Sequence, residues 1–211
     1  MKKLVFASLA IAFLTIAAFA QAKPRFNYAA QRKLIPADLG QVYLGIPLRD
    51  FAAKIDISKA EADDRFDWLE LRIPFAKGSV TDLTVRVHGL SPEEKAAMIH
   101  SVTVKKRSDD GFEYETEVKQ PKPGVTILSK GIVYAFYIGF KNEFDLKKFV
   151  NSMYGPGEVR KNDDPYHFFD TQWTKKTPDG LTWLIRSFHE GESRSLQLLG
   201  RIDGTEWDPG V

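Results

Sequence analysis

The chain has 211 residues, 43% hydrophobic and 27% charged, with 30 Lys+Arg against 28 Asp+Glu and no cysteine. These proportions exclude a disordered chain and a multi-pass membrane protein, and they leave room for one domain or two small ones. Without cysteine there is no disulfide framework, thiol nucleophile, thiolate metal site or lipid-accepting cysteine, so the fold must rest on core burial.

Residues 1–22 read as a secretory signal. Lys2-Lys3 form a positive start, Leu4 to Phe19 an apolar run, and Ala20-Gln21-Ala22 puts small residues where a signal peptidase reads them, with Ala18-Phe19-Ala20 as an alternative cut. The run is shorter than the ~20 apolar residues of a spanning helix. Cleavage near Ala22 lowers Lys+Arg from 30 to 28 against 28 Asp+Glu, leaving a formally neutral chain. Nothing global would then draw it to nucleic acid or anionic lipid. The expectation is an exported protein, periplasmic or secreted, with no membrane span after signal cleavage.

Residues 23–34 are polar and read as a flexible arm. A single α+β domain is expected over 35–203, in two related halves of about 35–120 and 125–203, with a tail over 204–211. Pro47 starts a helix near 47–56, where Leu48, Phe51, Ala52 and Ile55 repeat at helical spacing. Glu61 to Asp64 reads as a loop or an exposed helix end. Phe66 to Ile73 alternates as a strand that Pro74 ends or edges, and Val80 to Val87 forms a second strand. Ser91-Pro92-Glu93-Glu94 combines a capping box with proline at the first helical position, giving a helix over 92–100. A hairpin follows, 102–107 with 112–118, turning at Asp109-Asp110-Gly111. Pro121 to Gly124 is the one linker-like stretch.

In the second half, Gly131 to Phe140 is an aromatic-rich strand. Asn142 can cap a helix over 143–154, with Leu146, Phe149, Val150 and Met153 as its buried stripe. Gly155 is expected to end that helix in the left-handed conformation, which suits glycine or, less well, asparagine, whereas Gly157 is expected to tolerate a side chain. Tyr166 to Thr174, Leu181 to Phe188 and Ser193 to Ile202 then form a three-stranded antiparallel meander. Mainly antiparallel sheet with short helices packed on one face is the predicted architecture.

At Leu44-Gly45-Ile46-Pro47-Leu48, and at Tyr154-Gly155-Pro156 followed by Trp173, the chain resembles small exported bacterial modules of a helix-plus-meander kind. That group includes the beta-lactamase inhibitor protein and the small lipoprotein subunit of the outer-membrane barrel-assembly machine. The resemblance covers 131–202, and 39–88 loosely. It implies binding rather than catalysis. The first helix ends Ile55-Asp56-Ile57 without the Gly-x-Pro stop, and the lipoprotein's anchoring cysteine is missing, so neither tethering nor any functional residue carries over.

The histidines at 88, 100, 167 and 189 include no pair at helical ligand spacing, and no nucleophile elbow, phosphate loop or dinucleotide fingerprint occurs. No cofactor and no metal are expected. His88 ends a strand, and His100 ends a helix, where its charge suits the dipole. Asp163-Asp164-Pro165-Tyr166-His167 is the densest cluster. It reads as a turn-rich loop, and as an acid–base or metal site only if its groups converge.

Aromatic residues are the distinctive feature. On the 131–140 strand, Tyr134, Phe136, Ile138 and Phe140 are expected on one face, with Val133, Ala135, Tyr137 and Gly139 on the other. If helices cover only one sheet face, Tyr134, Tyr137, Trp173 and Trp183 are the candidates for a partner-binding surface. A doubly covered or curled sheet makes them core instead. The expected function is that of an exported, non-catalytic binding or envelope-interaction protein. The alternatives are a hydrolase or metal-dependent enzyme using the 163–167 loop, or a carrier of an apolar ligand.

Overall fold

The structure is a computed structural model that describes residues 26–108, 110–123, 130–159, 169–191 and 193–201. The signal segment, Asp109, Gly124, the Asp163–His167 cluster, Glu192 and the tail from Gly204 lie outside these. The fold is α+β and mainly antiparallel sheet. Four short helices occur among the described residues: α1 (Tyr28–Gln31), α2 (Leu48–Ala52), α3 (Pro92–Met98) and α4 (Leu146–Tyr154). The strands are β1 (Glu61–Asp63), β2 (Leu69–Lys77), β3 (Val80–His88), β4 (Ile99–Arg107), β5 (Glu113–Pro121), β6 (Ile132–Phe140), β7 (Glu158–Val159), β8 (Thr171–Lys176), β9 (Thr182–Glu190) and β10 (Ser193–Arg201).

Eight strands make one sheet in the order β1-β2-β3-β6-β10-β9-β8-β7, and β4-β5 form a separate hairpin. The strands of both halves thus share one sheet, joined through β3 and β6. Period-two alternation sends Leu69, Leu71 and Ile73, then Leu83, Val85 and Val87, to one face. Phe136, Ile138, Phe140, Trp183, Ile185, Leu196 and Leu198 join them there. Leu48 and Phe51 from α2 and Leu146, Val150 and Tyr154 from α4 belong to the same core. Phe51 stacks on Phe136 with ring centroids 6.2 Å apart.

β6 departs from simple alternation. Arg86 and Val87 are consecutive on β3, but their partners are Ala135 and Val133, so Tyr134 is an extra, bulged residue. Val133 therefore faces the core, and Tyr134 turns to the opposite face, reversing the expectation for both. β10 pairs with β6 only as far as Ala135. Beyond it, Gly45 N–H bonds the Val133 carbonyl (2.7 Å) and Leu48 N–H the Gly131 carbonyl (2.7 Å), so the segment entering α2 completes the edge.

Several boundaries differ from expectation for local reasons. Residues 26–34 are not a loose arm. Gln31 is fully buried, and its side chain exchanges hydrogen bonds with Leu44 N (2.9 Å) and Leu44 O (3.0 Å) and donates to Asp179 (2.9 Å). α4 is capped by Asp145, which accepts from Lys148 N at 2.9 Å, rather than by Asn142. Phe144 just before it stacks on Phe140 at 4.7 Å and fixes that entry. Glu61–Asp63 is a strand. β2 runs through Pro74, because β1 pairs only with residues 70–72 and leaves an open edge where a missing N–H is tolerated. α3 is shorter than 92–100, and His100 belongs to β4. The hairpin leans on the β1 region through Lys106–Glu61 (2.7 Å) and Lys119–Asp64 (2.6 Å).

Candidate functional site

The sheet face opposite the core is helix-free among the described residues. Besides apolar Ala135, Leu184, Phe188 and Leu199, it carries polar residues from each strand. Glu70 sits across from Arg86, Thr84 from Tyr137, Tyr137 from Gln197, Gln197 from Arg186 and Arg186 from Gln172. A continuous row of charge, phenol and amide therefore crosses β2, β3, β6, β10, β9 and β8.

At one end Glu70 is buried, and two guanidinium groups satisfy it: Arg86 Nε donates to Oε2 at 3.0 Å and Arg72 to Oε1 at 3.2 Å. Arg86 lies between two rings, 4.8 Å from Trp68 and 4.6 Å from Tyr137. Phe66 stacks on Trp68 at 4.8 Å and is 47% exposed, so the aromatic rim reaches solvent. In the middle, Gln197 Nε2 donates to the Tyr137 hydroxyl at 2.9 Å. At the far end Arg186 Nε donates to Gln172 Oε1 at 2.8 Å, and Arg186 lies 5.3 Å from the Phe169 ring.

Burial raises the Tyr137 hydroxyl above the ordinary phenol value, against the pull of Arg86. It pushes Tyr134 up to about 12, again opposed by Arg86. Both phenols are thus neutral proton donors at physiological pH. Burial lowers Arg186 from the ordinary arginine value, since water is withdrawn from its charge.

Only two of the four aromatic candidates belong here. Tyr134 and Tyr137 lie on this face, Tyr134 because of the bulge. Trp173 and Trp183 lie in the core, 3% and 0% exposed, because their strand positions share the parity of Ile185 and Leu198. Trp173 donates its indole N–H to the Gly155 carbonyl at 2.8 Å and packs on Tyr154, so its role is structural. The four do not form one aromatic surface. Aromatic content alone missed Trp68, Glu70, Arg86, Phe169, Gln172, Arg186 and Gln197. The available signal was the opposite one: Glu70, Arg86, Gln172, Arg186 and Gln197 each stand next to a buried apolar residue on an alternating strand.

A cavity of about 760 Å³ opens between α4 and the β7–β9 edge, with Leu146, Val150, Asn151, Asp170, Ser187 and His189 among its lining residues. The Ser187 hydroxyl is within 3.5 Å of the Thr171 carbonyl oxygen, and this lining forms no nucleophile–base relay among the described residues. No group of three metal-ligating side chains occurs among the described residues either. No helix there is long and apolar enough to cross a membrane.

Fold and face together define an α+β protein: one antiparallel sheet, helices on one side and a hydrogen-bonded arginine–tyrosine–glutamine row on the other. No family model, curated protein or solved structure matches the chain.

Proposed function

We propose that this is an exported, non-catalytic binding protein that engages an envelope partner through the helix-free face of its sheet. The observation that carries the reading is the polar row itself. Six strands contribute to it, its members are held by mutual hydrogen bonds and cation–π contacts, and Trp68 and Phe66 give it an aromatic rim. Side chains fixed in this way lose little freedom on binding, which favours recognition. The tripartite signal over residues 1–22 supports export, and the resemblance to helix-plus-meander modules supports binding as the activity.

The test is site-specific photo-crosslinking in the native envelope. A crosslinking residue replaces Thr84 or Thr174 on the row's face and, as a control, Lys147 on the helix side. The expected result is one stoichiometric adduct from positions 84 and 174 and none from 147. Adducts from 147 alone, or from no position, would overturn the reading. N-terminal sequencing of the same material is expected to begin near Lys23.

A further inference from the structure

We propose that Arg186 and the Tyr137 hydroxyl, on either side of Gln197, form a carboxylate-binding site within the helix-free face. This rests on the binding reading above and names the chemical group that the face takes.

Arg72 and Arg86 are both committed to Glu70. Arg186 forms no ion pair among the described residues; only its Nε is committed, to Gln172, and its two Nη groups remain without an acceptor there. The Tyr137 oxygen accepts from Gln197, and its own proton has no acceptor among the described residues. Arg186 on β9 and Tyr137 on β6 each stand across from Gln197 on β10, the strand between them, so both side chains border the same residue of the row. Every uncommitted group here is therefore a donor, and one carries a full charge half withdrawn from water. The Arg186 Nη atoms are not fully buried, so an incoming acceptor can reach them.

The missing partner is acceptor-only, singly negative and planar. A carboxylate meets all three conditions: its two oxygens match the paired Nη–H bonds of a guanidinium, and one oxygen can also take the phenol proton. A phosphate, with nearly two charges, calls for a second free cation. The next guanidinium on the row, Arg86, is already neutralised by Glu70. The Phe169 ring, 5.3 Å from the Arg186 guanidinium, flanks the site, while the Tyr137 ring faces Arg86.

The experiment titrates the protein purified from the envelope with N-acetylglutamate, inorganic phosphate or chloride at matched ionic strength. The readout is the side-chain nitrogen NMR signals of arginine. Saturable shifts of the Arg186 Nη signals are expected with N-acetylglutamate, with affinity about tenfold weaker for phosphate and about tenfold weaker in Tyr137→Phe. Arg186→Gln is expected to abolish the response while leaving the melting temperature unchanged or higher, because an unpaired half-buried charge is removed. A response in Arg186→Gln equal to wild type, tighter binding of phosphate, or no saturation overturns the site. If Arg186→Gln does not fold, Tyr137→Phe decides by the same comparison. Partner adducts that persist undiminished in Arg186→Gln sink the carboxylate site and leave the binding reading standing. Carboxylate binding without any adduct does the reverse.

Discussion

Gly155 closes α4 with φ +73° and ψ −164°. This is not the left-handed helical region expected from sequence but the extended region at positive φ, which excludes even asparagine. A β-carbon there meets nothing within 4 Å, so Gly155→Ala is expected to cost about 1–3 kcal/mol through the backbone alone. Gly157, expected to be tolerant, is the tighter site: a β-carbon would lie 2.5 Å from the Trp173 ring. Gly157→Ala should cost a similar ~1–3 kcal/mol by overpacking. It should also disturb the Trp173–Gly155 hydrogen bond. Urea unfolding measures both costs, and tryptophan near-ultraviolet dichroism should change only for Gly157→Ala. Tyr134 gives a prediction in pH. Its native value of about 12 exceeds the ordinary phenol value of ~10, so its stabilisation is complete below ~10 and is lost as pH rises through about 12. Over that window the stability of Tyr134→Phe should fall less steeply, by one proton's slope, whatever its stability at neutral pH. Sequence alternation could place Tyr137 correctly but not Tyr134, because a bulge is set by the register of the partner strand.

α3 is only seven residues long, too short to persist unaided. Ser91 accepts from Glu94 N at 3.2 Å, the Glu94 carboxylate accepts from Ser91 N at 2.9 Å, and buried Lys95 donates to the Phe66 carbonyl at 2.6 Å. Ser91→Ala should cost about 1 kcal/mol. Adding Glu94→Ala should cost less than the sum of the two single changes, because the box acts as a unit. A urea double-mutant cycle checks this. The capping box was readable because it is encoded in four adjacent residues. The cap of α4 was not, because Asn142 and Asp145 are both good caps and the stacking of Phe144 on Phe140 decides between them. α1 was missed for the same kind of reason: its anchor, Gln31, finds partners 13 and 148 residues away.

Across the whole molecule, the antiparallel class and the meander followed from alternation and turn residues, which are local. The β3–β6 junction and the polar row did not, since each is made by strands distant in sequence. β10 lies between β6 and β9 and hydrogen-bonds to both. Ending the chain at residue 192 should therefore divide the large sheet into β1-β2-β3-β6 and β9-β8-β7. Cooperative unfolding should disappear, and hydrogen exchange should be fast at the β6 amides that faced β10. A truncated chain that keeps one sharp thermal transition would refute this. The same placement sets a timetable. β10 is the last of the described strands in chain order, so synthesis reaches the strand that closes the sheet only after all the strands it joins. Until then each sheet fragment has an open edge and an incomplete core. The chain therefore stays unlocked while the earlier strands are made, and the last of the described strands acts as its latch.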